Sequence, residues 1–177
     1  MGIKCNSGGA KGADTIFENK CLEYGLNVNA FSYKTKYHHS PNKVEISDDD
    51  YNEGVEKINI ANKSLKRKGI GKYMNLLARN WSQVKYSKQI FAVSTLQNET
   101  MVSGGTGWAV QMGIDEGKEV YVYDQERLNW FKWSYIQECF VKCESPIIKS
   151  DFAGIGTREI NENGINEINE LFKRSFN

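Results

Sequence analysis

The chain has 177 residues, 40% hydrophobic, 25% charged and 12% aromatic, enough apolar and aromatic side chains for one packed core and too many for a disordered chain. Lys and Arg total 23 against 22 Asp and Glu, a net charge of +1, too even for a protein that grips a long polyanion, so nucleic acid is not an expected partner. No apolar run approaches the roughly 18 residues of a membrane span and no leader pattern opens the chain, so the expectation is one cytoplasmic domain, residues 1–177, without a membrane partner.

Ile3-Lys4-Cys5 reads as a short strand, and Ala13, Phe17, Cys21 and Tyr24 recur at helical spacing until Gly25. A strand over 29–33 and a polar loop over 34–43 follow. Ser47 ahead of Asp48, Asp49 and Asp50 marks a helix start, acidic where the macrodipole favours it. Tyr51, Val55, Ile58 and Leu65 form that helix's apolar face. The basic run 66–72 separates it from a helix carrying Tyr73, Leu76, Leu77, Trp81 and Val84. The run is read as a solvated loop rather than a nucleic-acid contact. Gln89–Ser94 is apolar almost throughout, as in a strand buried on both faces. A helix to about Glu116 and a strand over 119–123 come next, then an aromatic segment with Trp130, Phe131 and Trp133 and a strand over 136–142. The three aromatics suit either the core or a homo-oligomer interface. The chain closes with Phe152–Arg158 leading into a last helix. Strands alternating with helices predict an α/β fold, a parallel sheet covered on both faces.

The chain holds 16 glycines against 2 prolines, and the glycines cluster. Gly8, Gly9 and Gly12, then Gly104, Gly105 and Gly107, then Gly154 and Gly156 are placed at three strand-to-helix junctions. At the carboxyl edge of a parallel sheet such junctions lie together, where open α/β folds bind ligands. Glycine lets a backbone approach a phosphate, and the helix behind it offers free N–H groups. No Gly-Lys-Ser/Thr follows any of them, which excludes a Walker loop, and none forms a complete dinucleotide fingerprint. Arg158 stands on the third loop, and Arg79, Asn80 and Gln83 share one helix. Guanidinium groups bind phosphate bidentately. The four cysteines lie in two distant pairs with only His38 and His39 as histidines, so buried thiols are expected and neither a metal nor another cofactor.

Ser7-Gly8-Gly9-Ala10-Lys11-Gly12-Ala13-Asp14 and Gly104-Gly105-Thr106-Gly107-Trp108 resemble the signature loops of the SLOG superfamily. That superfamily has a Rossmann-like fold and includes the DprA/Smf proteins and the LOG phosphoribohydrolases. Ala78–Lys85 is similar to the YpsA-related, phage-associated branch. The resemblance implies a Rossmann-like parallel sheet flanked by helices on both faces. Its members commonly begin with the Gly-x-Gly-Ser/Thr-Arg strand, which here comes last, as Gly154-Ile155-Gly156-Thr157-Arg158. A circular permutation is therefore expected, with the C-terminal strand beside the N-terminal one.

The implied ligand site comprises Ser7, Gly8, Gly9, Ala10, Gly12, Asp14, Arg79, Asn80, Gln83, Gly104, Gly105, Thr106, Gly107, Trp108, Gln111, Gly154, Gly156, Thr157 and Arg158. LOG-type hydrolases carry a catalytic glutamate where this chain has Gln111, which cannot act as a general acid or base. The expectation is therefore binding without turnover, unless Asp14 or Glu18 takes over. Trp108 is placed either to stack on a base or to pack as a lid. The implied partner is a nucleotide-derived small molecule, an ADP-ribose-type or cyclic nucleotide signal, sensed or sequestered in phage–host defence, in a protein expected to be a homo-oligomer. A phosphoribohydrolase is the alternative and a DprA-like single-strand DNA binder the third.

Overall fold

Gln89–Ser94 is buried along its whole length, which a strand tolerates only when both faces of its sheet are covered. The computed structural model describes residues 2–177, and it supplies that cover. In chain order the elements are β1 (Lys4–Ser7), α1 (Ala13–Glu23), β2 (Asn27–Ser32), β3 (Lys43–Glu45), α2 (Asp48–Leu65), a 3₁₀ turn (Ile70–Tyr73), α3 (Met74–Lys85) and β4 (Gln89–Ser94). There follow α4 (Thr106–Asp115), β5 (Glu119–Asp124), β6 (Asn129–Ser134), β7 (Cys139–Cys143), β8 (Phe152–Gly156) and α5 (Glu162–Phe176). The strands form one sheet in the order β3-β2-β1-β8-β4-β5-β6-β7. It is parallel from β3 to β5 and antiparallel across β6 and β7.

Alternate residues of β4 enter two cores, as the pleat requires. Ile90 and Ala92 pack with Ile58, Leu77, Trp81, Trp108 and Met112 from α2, α3 and α4. Phe91 and Val93 pack with Phe17, Cys21, Ile168, Leu171 and Phe172 from α1 and α5 on the opposite face. The architecture is the expected Rossmann-like α/β sheet between two helical layers. Helix ends follow local chemistry: Ser47 caps α2 by accepting from the Asp50 N–H at 3.1 Å, and Asn161 caps α5 by accepting from Gly164 at 3.0 Å.

The C-terminal strand lies beside the N-terminal one, as expected. β8 pairs with β1 through Cys5 and Asn6, and with β4 from Gln89 to Val93. Among the described residues it is the only strand that links the β1-β2-β3 and β4-to-β7 parts of the sheet.

Three expectations need correction. Gly154 and Gly156 lie in β8 itself, not in a loop after it. Their glycines serve packing: a Cβ on Gly154 would sit 2.5 Å from the Phe17 ring, and one on Gly156 2.2 Å from the Val93 carbonyl. The strand expected over 136–142 begins at Cys139, because Tyr135–Glu138 turns a hairpin whose first arm, β6, holds the aromatic segment. Trp130 is buried there, edge-on to Phe91. The loop expected over 34–43 gives up its last residue to the short edge strand β3. Cys5 and Cys21 are buried and all four thiols are free. Among the described residues no helix is long and apolar enough to cross a membrane, and no group of three His, Cys, Asp or Glu is placed to hold a metal.

Candidate functional site

β1, β8, β4 and β5 end side by side on one edge of the sheet, and a cleft of about 590 Å³ opens above their carboxyl ends. That volume lies in the range of small-molecule sites. Residues from all four strand ends line it, and α3 walls one side with Leu76, Leu77, Arg79, Asn80 and Gln83.

The loop after β1 is held from beneath. Asp14 Oδ2 accepts from the Gly8 N–H at 3.2 Å and the Ala10 N–H at 3.4 Å, and Arg79 Nη1 donates to the Gly8 carbonyl at 2.6 Å. With its amide oxygen facing the loop, as the network requires, Gln83 accepts from Gly8 at 2.5 Å and from Arg79 at 3.1 Å. A Cβ on Gly8 would sit 1.9 Å from Arg79 Nη1, so glycine here admits the guanidinium. Gly9 and Gly12 similarly give room to His38 and to the Thr157–Arg158 backbone. Ser7 is buried below the loop, where its hydroxyl accepts from the Gly9 N–H. This loop is a packed hinge of α3, α1 and β8 more than an open cradle.

The second loop is different. At Gly104 and Gly105 a Cβ would meet no atom of the chain, and both residues line the cleft with Ser103 and Thr106. Gly105 precedes α4 without any side-chain cap. The N–H groups of Gly107 and Trp108 bond the Gly104 and Gly105 carbonyls at 3.2 Å, and among the described residues those of Gly105 and Thr106 have no partner and can meet an anion. Arg67 fixes the loop from outside, donating to the carbonyls of Gly104 at 2.7 Å and Val102 at 3.1 Å. The basic run 66–72 thus contributes a structural clamp at Arg67.

Two arginines, Arg79 and Arg158, line the cleft beside three carboxylates, Asp14, Glu126 and Glu159. Arg79 is 7% exposed and lines the cleft, yet among the described residues neither it nor Arg158 forms a salt bridge. Burial pulls the Arg79 guanidinium below its ordinary value; the Asp14 charge opposes that pull and Arg158 adds to it. Burial also pushes the Asp14 carboxyl up to about 6, against the lowering effect of Arg79. Two guanidinium groups therefore share one cleft without a salt bridge, Arg79 being desolvated and held by the Gly8 carbonyl in the field of Asp14, and a bound anion would give them a charge-assisted partner.

Of the residues expected from the sequence, Ala10, Asp14, Arg79, Asn80, Gln83, Gly104, Gly105, Thr106, Gly156, Thr157 and Arg158 line this cleft. Ser7, Gly8, Gly9, Gly12, Gly107 and Gly154 stand behind it as packing and hinge positions. Trp108 is 5% exposed in the core, with the Arg67 guanidinium 5.5 Å above its ring, which is the packing alternative and not a base-stacking platform. Gln111 faces a separate cleft and bonds Asp115 at 2.9 Å. Its identity consequently says nothing about chemistry in the main cleft, and the inference from it to binding without turnover loses its footing.

Ser94, Thr95, Gln125, Glu126, Glu159 and Asn161 line the cleft without having been anticipated. All lie at or just past the carboxyl ends of β4, β5 and β8, and that position in a parallel sheet was the signal available. Comparison with family models, curated proteins and solved structures finds no match.

Proposed function

We propose that the cleft binds a phosphate-bearing, nucleotide-derived small molecule and retains it, as a sensor or sequestering protein does. The observation that carries this reading is that Arg79 and Arg158 both line one cleft and, among the described residues, neither forms a salt bridge, although Asp14, Glu126 and Glu159 line it too. The uncapped start of α4 at Gly104-Gly105-Thr106 adds a second group of anion-binding donors. The Glu126 carboxylate, just past the β5 end, is suited to accept hydrogen bonds from ribose hydroxyls. The resemblance to SLOG proteins extends the proposal to an ADP-ribose-type or cyclic nucleotide signal in phage–host defence.

Calorimetry with ADP-ribose and with cyclic nucleotides tests the reading. Saturable binding is expected, with the ligand recovered intact by chromatography. Arg158→Ala should weaken it by roughly tenfold or more, the loss of one charge-assisted contact. Absence of binding across these ligands, or an unchanged affinity in Arg158→Ala, would overturn it.

A second reading has one observation in its favour. Asp14 lines the cleft with a carboxyl held near neutrality, at about 6, which is the property wanted of a general acid. On this reading nucleoside monophosphates release free base and ribose 5-phosphate, and Asp14→Asn stops release. The binding reading is preferred because Asp14 Oδ2 is already engaged by two backbone N–H groups of the first loop.

A further inference from the structure

The face of α4 that carries Gln111 borders a second cleft, of about 410 Å³, between the end of α2, the loop at Thr100 and Met101, and the β6–β7 hairpin. No lysine or arginine lines it, while Asp115 and Glu138 do. Most of its donors are committed: Gln111 Nε2 to Asp115, the Thr100 hydroxyl to Asn98, and the Tyr135 hydroxyl to the Lys118 carbonyl, leaving the exposed Ser64 hydroxyl, which can donate or accept. Acceptors remain. Gln111 is 7% exposed, and its amide oxygen has no partner among the described residues.

The surroundings favour positive charge. The cleft lies at the carboxyl end of α4, where the helix presents its negative pole. Burial pushes the Asp115 carboxyl up, only partly offset by the Gln111 hydrogen bond and the Lys57 charge, and the Lys57 ammonium is itself held by Glu116 at 2.6 Å. Trp133, packed edge-on against Phe140, and Met101 add an aromatic and a polarisable wall.

We propose that this second cleft binds a small organic cation with a primary ammonium head, its N–H groups donating to the Gln111 carbonyl and the Asp115 carboxylate while its alkyl stem lies along Trp133 and Met101. The site is separate from the main cleft and does not depend on the function assigned there.

The test titrates the full chain with 1,4-diaminobutane, followed by calorimetry and by tryptophan fluorescence. Trp81, Trp108 and Trp130 are at most 5% exposed, so a fluorescence change reports on Trp133. Saturable binding with a fluorescence change is expected. Asp115→Asn and Gln111→Leu should each weaken it by about tenfold or more, the size of one charge-assisted hydrogen bond, with the unfolding temperature showing that each variant is folded. Tetramethylammonium, which has no N–H donors, should compete poorly. The proposal is overturned by an absence of saturable binding, by wild-type affinity in both folded variants, or by equal competition from tetramethylammonium or magnesium ion, which would reveal an acidic surface only.

Discussion

Asp14 is pulled two ways. Its carboxylate organises the first loop through the Gly8 and Ala10 N–H groups, yet burial raises its pKa to about 6 from an ordinary 3.8. The folded state therefore keeps this proton to a higher pH than the unfolded chain does. Its contribution favours folding below about pH 4 and is lost as the pH rises through about 6. A shift of that size corresponds to about 3 kcal/mol. Thermal unfolding followed between these limits should show a slope that flattens in Asp14→Asn. Sulfate, whose own charge is constant over the range, should bind the wild type more tightly as Asp14 is neutralised and bind the variant with less pH dependence. An equal slope in both proteins would show that the buried imidazole of His38 or Glu18 governs this pH range instead. Gln111 marks the limit of residue-level reading. Five residues beyond Thr106 it lies about 140° around the helix, so a motif match placed it in the site while helical phase turned it away.

Among the elements, α4 begins on support from outside itself. Its amino terminus has no cap of its own, and the loop before it is held by Arg67 from the end of α2. Arg67→Ala should leave the sheet intact, accelerate hydrogen exchange over residues 95–105 and weaken sulfate binding by several-fold. Unchanged exchange there would show that Arg67 is dispensable to the loop. The same elements show what was legible in the chain. β4 could be read because a strand buried on both faces is apolar throughout, and α2 because Ser47 and three acids mark its start. β6 and β7 were misjudged because Ile136 is apolar yet 96% exposed at the hairpin tip. β8 was expected as a strand beside β1, but Gly154 and Gly156 were assigned to a junction after it because glycines resemble a loop, when in fact Phe17 and the Val93 carbonyl occupy the space their side chains would need.

At the scale of the whole molecule, the site is assembled from strands far apart in sequence, with β1 and β8 separated by nearly the full chain. The cleft's two arginines come from α3 and from the segment after β8, so neither half of the chain contains the whole cleft. Parallel order at the sheet's centre made the site's location readable. Its occupancy by particular side chains was not, because rotation of each helix and the depth of each loop are settled by tertiary packing. Such long-range pairing is slow to form, since the closure entropy precedes any reward.

β8 has a further consequence during synthesis. The two parts of the sheet have no hydrogen bonds to one another until residues 152–156 arrive. A nascent chain leaving the ribosome must hold roughly its first 150 residues with open strand edges on β1 and β4, the kind of surface on which chains aggregate or chaperones dock. A fragment of residues 1–146 should therefore remain unfolded or aggregate, by circular dichroism and sedimentation, and a separate peptide of residues 147–177 should restore the folded spectrum and the sedimentation behaviour of the intact chain. A fragment that folds alone would show that one part of the sheet is self-sufficient. If it does not, the sheet closes only once residues 152–156 have left the ribosome.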